Sequence, residues 1–444
     1  MQILKKLVNK HTLSLASNAV MPIVSMVTVS LLARNLTERD LGYWILFLIT
    51  FTIANFFRSG FLQTSLVKFY SGASKERAAT VVGSTWFMGL ILTSILAFIS
   101  FLTYLFGSNP SLEITVNWFA IIFFSTLPSS IALWVLQAEE RFDRIFFLQL
   151  IHPATFFLSI VALIIIHQTH FQYVIYAYCL SAMLTSLISI AAGWAKMSSI
   201  RHKSNACVKE LVNFGKYSVG TSISSYLLRG SDTFIIKYMF VDPSFVAIYY
   251  LPQRLMEVIE IPLRSFIATA LPAMSAAVQR NEKPHMTYIM KKYAGILTIL
   301  LIPVSIVTFI CADFIIEIIG GQKFVPTEAA RVFRIFLCFA VLLPVDRFFG
   351  ITLDILNKPH LNLVKVVLML VVNVAGDFIG IYFTHSLYGV ALASIVSFIA
   401  GVVYGYWVLK KNLNFKIRDI LQLGFSETKL LAISLISRMK GKND

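Results

Sequence analysis

Between Thr80 and Leu105 the chain reads TVVGSTWFMGLILTSILAFISFLTYL, without one charged side chain, and it is entered through Lys75, Glu76 and Arg77. About 20 apolar helical residues cross the roughly 30 Å of hydrocarbon in a bilayer, so this stretch predicts a transmembrane helix. Similar runs lie near 13–33, 43–66, 114–137, 146–167, 173–195, 214–240, 244–272, 289–311, 329–356, 361–384 and 387–409. Together they predict an all-α polytopic membrane protein of about twelve transmembrane helices.

Composition agrees. Of 444 residues, 57% are hydrophobic and only 14% charged. A soluble domain carries roughly 25% charged residues, so this chain could not cover a globular surface with charge. The connections are short, the longest polar one running roughly from Lys196 to Asn213, which leaves no room for a soluble catalytic domain. Cys179, Cys207, Cys311 and Cys338 show no paired ligand spacing, so neither a disulfide framework nor a zinc site is expected. His167 and His170 have helical metal spacing but sit at a short turn, and no metal site is expected there.

Lys and Arg gather in alternate connections, with Lys68, Lys75 and Arg77, then Arg141 and Arg144, then Lys196, Arg201, Lys203, Lys209 and Lys216. Arg280, Lys283, Lys291 and Lys292 follow, then Lys358 and Lys365. Cytoplasmic loops accumulate such residues, so both termini are predicted to be cytoplasmic. The net charge of +16 needs no nucleic acid; a basic inner face on anionic lipid accounts for it. The first run, preceded by Lys5, Lys6 and Lys10, is long and lacks a small-x-small cleavage site, so it reads as a retained helix. Residues 413–444 mix Ile417, Ile420, Leu421, Leu430 and Leu431 with basic residues and read as a cytoplasmic amphipathic tail.

A weak internal repeat aligns Thr37 with Asp242 as helix N-caps, and Gly42-x-Trp44 with Ala247-x-Tyr249. It predicts six-helix lobes over 1–200 and 201–412, with a site at their interface.

Ionisable residues at hydrocarbon depth carry the chemistry, because a charge there costs at least about 2.5–3.5 kcal/mol unless it faces water or a partner. Arg58, Arg229, Arg254, Arg264 and Arg347 all lie inside predicted spans. Arg254, Glu257, Glu260 and Arg264 are spaced to share one face of the eighth span, which Pro252, Pro262 and Pro272 punctuate. Ser222, Ser225, Tyr226, Arg229, Asp232 and Thr233 share a face of the seventh. Ser14, Asn18, Pro22 and Ser25 in the first, with Asn55, Arg58 and Ser59 in the second, complete the expected lining of a cationic, water-filled cavity. Guanidinium groups suit an anionic, phosphorylated ligand. The competing reading is structural pairing within helices, Arg254 with Glu257, Glu260 with Arg264 and Arg229 with Asp232. Asp346, Arg347, Asp354, Asn373 and Asp377 form a second polar seam, for which packing and function stand equal.

The sequence resembles the polysaccharide flippases of the multidrug, oligosaccharidyl-lipid and polysaccharide exporter superfamily. The resemblance rests on Leu32-Ala33-Arg34-Asn35-Leu36 with Leu41-Gly42-Tyr43-Trp44, on Ser231-Asp232-Thr233-Phe234, and on Ile318-Ile319-Gly320-Gly321. Leu356-Asn357-Lys358-Pro359 and Tyr388-Gly389-Val390-Ala391 continue it, while Ala247 departs from an expected glycine. It implies two six-helix lobes in a V that alternates between inward-open and outward-open states, in the inner membrane of a bacterium. The implied substrate is an undecaprenyl-diphosphate-linked oligosaccharide for surface polysaccharide such as O-antigen lipopolysaccharide, with a glycan polymerase and glycosyltransferases as partners. By helix and depth, Arg58, Arg229, Arg254 and Arg264 match the family's cationic cavity. Asp232, Glu257 and Glu260 are candidate carriers of a coupling H⁺ or Na⁺, and no other cofactor is expected. The rivals are a multidrug exporter of the same fold, whose cavity would be more acidic and aromatic, and a membrane-embedded glycan polymerase or acyltransferase. The enzyme reading needs a large external loop or an intramembrane His/Asp dyad, and neither is evident.

Overall fold

The computed structural model describes residues 10–106 and 118–440, with side chains except those of 10–22, 106, 215–225, 229, 268, 272, 279, 431–432 and 434–440. All secondary structure among the described residues is helical: α1 (Lys10–Asn35), α2 (Glu38–Tyr70), α3 (Lys75–Phe106), α4 (Phe119–Ala138), α5 (Phe142–Ile165), α6 (Phe171–Ala191), α7 (Asn205–Met239) and α8 (Ser244–Gln279). These are followed by α9 (Lys283–Ile310), α10 (Ala312–Gly320), α11 (Ala329–Ala340), α12 (Leu343–Ile355), α13 (Pro359–Thr384), α14 (Leu387–Lys410) and α15 (Ile417–Lys440). Over the described residues each apolar run coincides with one of these helices or, for 329–356, with the pair α11 and α12, which meet at a 49° bend. Among the described residues nine helices are long and apolar enough to cross a membrane, or ten if the bent pair is one span. The expected count of twelve is not reached on that measure. Over its full length α7 carries Lys209, Glu210, Lys216, Arg229, Asp232 and Lys237, and so is less apolar than the helices that meet the measure.

Local chemistry places the helix starts. Thr37 precedes α2 in extended backbone, and its hydroxyl accepts the Asp40 amide at 3.1 Å. Asp242 accepts the Ser244 amide at 3.0 Å before α8, so both aligned cap residues cap. Hydroxyls inside the helices return their protons to carbonyls one turn back, as Thr85 does to Val81 at 2.9 Å and Ser181 to Ala177 at 2.8 Å.

The chain forms two compact units. The first comprises residues 1–230 and 240–247, the second 231–239 and 248–444, against an expected division at 200. The reason is packing: Cys207 and Leu211 of α7 are buried with Leu66, Trp86, Ile131 and Leu148, and the Ser65 hydroxyl donates to the Leu211 carbonyl at 3.3 Å. Trp44, Phe47, Phe51, Phe156 and Tyr178 form an aromatic core in this unit, with ring centroids 5.3–6.4 Å apart. At the loop ends Glu139 accepts from Tyr70 at 2.6 Å and from Lys196. Burial pushes the Glu139 carboxyl up, but these two bonds outweigh it and hold the group below its ordinary range.

In the second unit α13 and α14 form an antiparallel hairpin whose backbones touch at Gly380 and Gly389; a Cβ on Gly380 would lie 2.5 Å from the Gly389 carbonyl oxygen. Such close approach is how helices associate where lipid offers no hydrophobic driving force. α15 reaches α9 in the same way, and this adds a contact to the picture of the tail as a helix resting on lipid. A Cβ on Gly295 would stand 2.2 Å from the Ile420 carbonyl oxygen and 2.8 Å from the Gly424 Cα. One turn on, Glu427 pairs with Lys292 at 2.7 Å and accepts from Tyr288 at 2.6 Å. Lys292 first, and then Tyr288, hold the Glu427 carboxyl below its usual range. Gly295→Leu is therefore expected to detach α15, and limited proteolysis in detergent should then release the segment after Lys411 from the variant well before the parent chain. Equal protection in both would count against the glycine contact.

Candidate functional site

Arg58 sits in the middle of α2 and is wholly buried inside the first unit, with no exposed surface. Its guanidinium donates to the Phe123 carbonyl at 2.7 Å and Asn55 Oδ1 at 2.7 Å, and to hydroxyls of Thr126 at 3.0 Å, Thr93 at 3.3 Å and Ser130 at 3.3 Å. Its Nε has no partner. No carboxylate is among these neighbours, and every acceptor is neutral. The acceptors on α4 flank Pro128, whose missing N–H loosens that helix, so Arg58 ties α2 and α3 to the weakened turn. The expectation that Arg58 lines an open anion path is corrected here: its hydrogen-bonding edge is spent on protein.

The charged face of α8 is present and accessible in the second unit. Arg254 donates to Glu257 at 2.5 Å and to the Tyr250 hydroxyl, and its side chain is half-buried. One turn on, Glu260 is approached by Arg264 at 3.4 Å and by Arg347 of α12 at 3.9 Å. Arg264 and Arg347 keep 46% and 38% of their side-chain surface exposed, so protein encloses neither guanidinium. Both structural pairs foreseen on α8 therefore form, yet neither saturates its guanidinium. Three Arg against two Glu leave this face net positive.

Of the second polar seam, Arg347 joins the face of α8, Asp354 and Asp346 lie on either side of Lys365 and Asn362, and Asp377 stands with Asp232. Asp354 accepts from Asn362 at 2.9 and 3.1 Å. Asp346, at the start of α12 beside the bend, is buried with Lys365, whose ammonium donates to its carboxylate at 2.7 Å and its carbonyl at 2.9 Å. Lys365, expected in a connection, lies inside α13 and is 3% exposed.

Asp377 joins Asp232 in one hydrogen-bonded group. Asn373 donates to Asp232 at 2.6 Å and to Asp377 at 3.2 Å, and the Tyr249 hydroxyl donates to Asp232 at 2.6 Å. All four side chains are buried, and Asp377 Oδ1 has no partner. Among the described side chains this hydrogen-bonded group holds two carboxylates and no base, while the side chain of Arg229, three residues before Asp232 on α7, lies outside them. Asn373 belongs to the expected second seam, whereas Tyr249 stood in the sequence only as a position of the internal repeat. The i,i+4 spacing of Asn373 and Asp377 was the one local signal for this cluster. The side chains of Arg229, Ser222, Ser225, Ser14, Asn18 and Pro22 lie outside the described residues. All four cysteines are free, and among the described residues no group of three metal-ligating side chains occurs.

The apolar helices define a multi-pass integral membrane protein, with an ionic face on α8 and a buried acid pair on α7 and α13. Residues 31–329 match the polysaccharide biosynthesis protein family, and the chain belongs to it. It is 27% identical over 228 residues to the protein described as "Probable low-salt glycan biosynthesis flippase Agl15" of Haloferax volcanii, a match covering 50% of this chain and 47% of that one. The chain thus matches about half the length of that curated relative. Its fold resembles those of solved transporters of the MOP superfamily. The inward-facing multidrug resistance MATE family transporter aligns with TM-score 0.73 at 16% identity, over 88% of this chain and 95% of that one. The lipid II flippase MurJ in its inward closed conformation aligns with TM-score 0.73 at 15% identity, over 95% and 92%. A MOP transporter from Pyrococcus furiosus, whose reported binding pocket has reversed polarity, aligns at 0.63 with 15% identity, over 90% and 95%.

Proposed function

We propose that this chain is a flippase for lipid-linked oligosaccharide, carrying an undecaprenyl-diphosphate-linked glycan from the cytoplasmic to the outer leaflet of a bacterial inner membrane by alternating access. The observation that carries the reading is the accessible, net-positive face formed by Arg254, Arg264 and Arg347 at hydrocarbon depth. Guanidinium forks match phosphate oxygens in pairs, so such a face recognises a diphosphate headgroup while the prenyl tail stays in lipid. The match to a glycan flippase and to the polysaccharide biosynthesis family supports this substrate class over cationic drugs. With both termini cytoplasmic and the interior negative, outward movement of two phosphate charges gains about 4.6 kcal/mol per 100 mV.

The acid pair Asp232 and Asp377, bridged by Asn373, is the coupling site for H⁺ or Na⁺, and its occupancy biases the two states through differential affinity. A glycan polymerase and glycosyltransferases would supply and consume the cargo, for O-antigen or a related surface polysaccharide.

The test is translocation by the purified full chain in liposomes, following a fluorescent undecaprenyl-diphosphate oligosaccharide from one leaflet to the other. Protein-dependent movement is expected, and Arg264→Ala and Arg347→Ala should each slow it by about tenfold, through loss of a charge-assisted phosphate contact. No movement with the parent chain, alongside drug sensitivity in a strain lacking it, would replace this reading with a multidrug exporter.

A further inference from the structure

Glu260 is an unusual residue to find between two cationic groups that a phosphorylated ligand would need. It lies on α8 with only 16% of its side chain exposed, and each oxygen faces a different guanidinium: Oε2 faces Arg264 and Oε1 faces Arg347. The separations are 3.4 and 3.9 Å, well beyond the roughly 2.7–2.9 Å of a settled charge-assisted bond. The neighbouring pair of Arg254 with Glu257 is closed to 2.5 Å. Loose pairing therefore belongs to the Glu260 site and not to the face as a whole. Arg264 and Arg347 come from different helices, α8 and α12, and Arg347 lies in the first turn and a half beyond the 49° bend. Two guanidiniums converging on one carboxylate, both still partly exposed, describe a two-pronged anion clamp whose seat is held by a side chain of the protein.

We propose that Glu260 is a built-in competitor for the anionic ligand. Its carboxylate keeps Arg264 and Arg347 together when the clamp is empty, and a diphosphate displaces it by offering more charge and more acceptor oxygens to the same two prongs. A single carboxylate or monophosphate offers little beyond what Glu260 already supplies, so the competitor selects for diphosphates. It also weakens ligand retention, which a carrier needs in order to release its cargo. This deepens the flippase reading and rests on it for the identity of the cargo, but the clamp itself is testable without any lipid.

The experiment measures binding of inorganic pyrophosphate and of inorganic phosphate to the purified full chain in detergent by calorimetry, beside translocation in liposomes. Glu260→Gln removes the competing charge and is expected to bind pyrophosphate about fivefold more tightly, the size of two lost, partly exposed ion pairs. It should also lose much of its preference over phosphate, and move cargo more slowly because release is retarded. Adding Arg347→Gln should abolish the gain. Glu260→Asp, a shorter carboxylate, should fall between the parent and Glu260→Gln and guards against a fold defect in either single variant. Unchanged or weaker pyrophosphate binding in Glu260→Gln, or no binding in any variant, would overturn the proposal. Absence of translocation by a parent chain that still binds pyrophosphate in this pattern would instead overturn the choice of cargo and leave the clamp standing.

Discussion

Replacing Arg58 with Ala is expected to lower the stability of the first unit by about 3 kcal/mol, the result of stranding buried acceptors and opening a cavity. The Phe123 carbonyl, Asn55 and the hydroxyls of Thr93, Thr126 and Ser130 would all lose a charged donor together. Removing an isolated charge from hydrocarbon depth returns part of that loss, which is why the expected figure is well below the sum of five bonds. Arg58→Lys should recover little, because an ammonium is a compact point donor and cannot span acceptors arrayed around a planar fork. The measurement is thermal unfolding of the purified chain in detergent together with pyrophosphate binding by the folded fraction. A lower melting temperature with unchanged affinity is expected. Normal stability with lost affinity would return Arg58 to the ligand path and undo its assignment as an internal tie.

Asp377→Asn should behave in the opposite way. The substitution preserves shape, removes one of two buried carboxylates and leaves Asn373 and Asp232 in place, so the protein should fold as well as before. Translocation in liposomes should nevertheless fall by about tenfold or more and lose its response to an imposed H⁺ or Na⁺ gradient, because a group that carries coupling charge at hydrocarbon depth cannot be replaced by a neutral one. Asp232→Asn should be equally inactive but less innocuous to the fold, since Asp232 accepts from both Tyr249 and Asn373. If Asp377→Asn transports at the parent rate and keeps its gradient response, the acid pair is part of the packing and the coupling ion binds elsewhere. Asp346→Asn offers a contrast: it would strand a buried Lys365, and the damage should appear in stability before transport.

Sequence and structure divide along the range over which each physical effect acts. Apolar runs, the caps at Thr37 and Asp242, and the shared face of Arg254, Glu257, Glu260 and Arg264 follow from contacts within one or two helical turns. They were legible because bilayer thickness and the helical repeat are fixed and local. What each face meets is set by residues far away in the chain. Arg58 looked like Arg264 in sequence, yet its partners on α3 and α4, 35 to 72 positions onward, bury it completely. Asp232 and Asn373 stand 141 positions apart and Lys365 and Asp346 are separated by a helix break, so no periodicity could pair them. Sequence alone determined that this is a helical membrane protein and which helix bears an ionic face. Only the tertiary packing decided which guanidiniums are enclosed by protein and which keep exposed surface, because a charge in hydrocarbon takes whatever partner the neighbouring helices bring within reach.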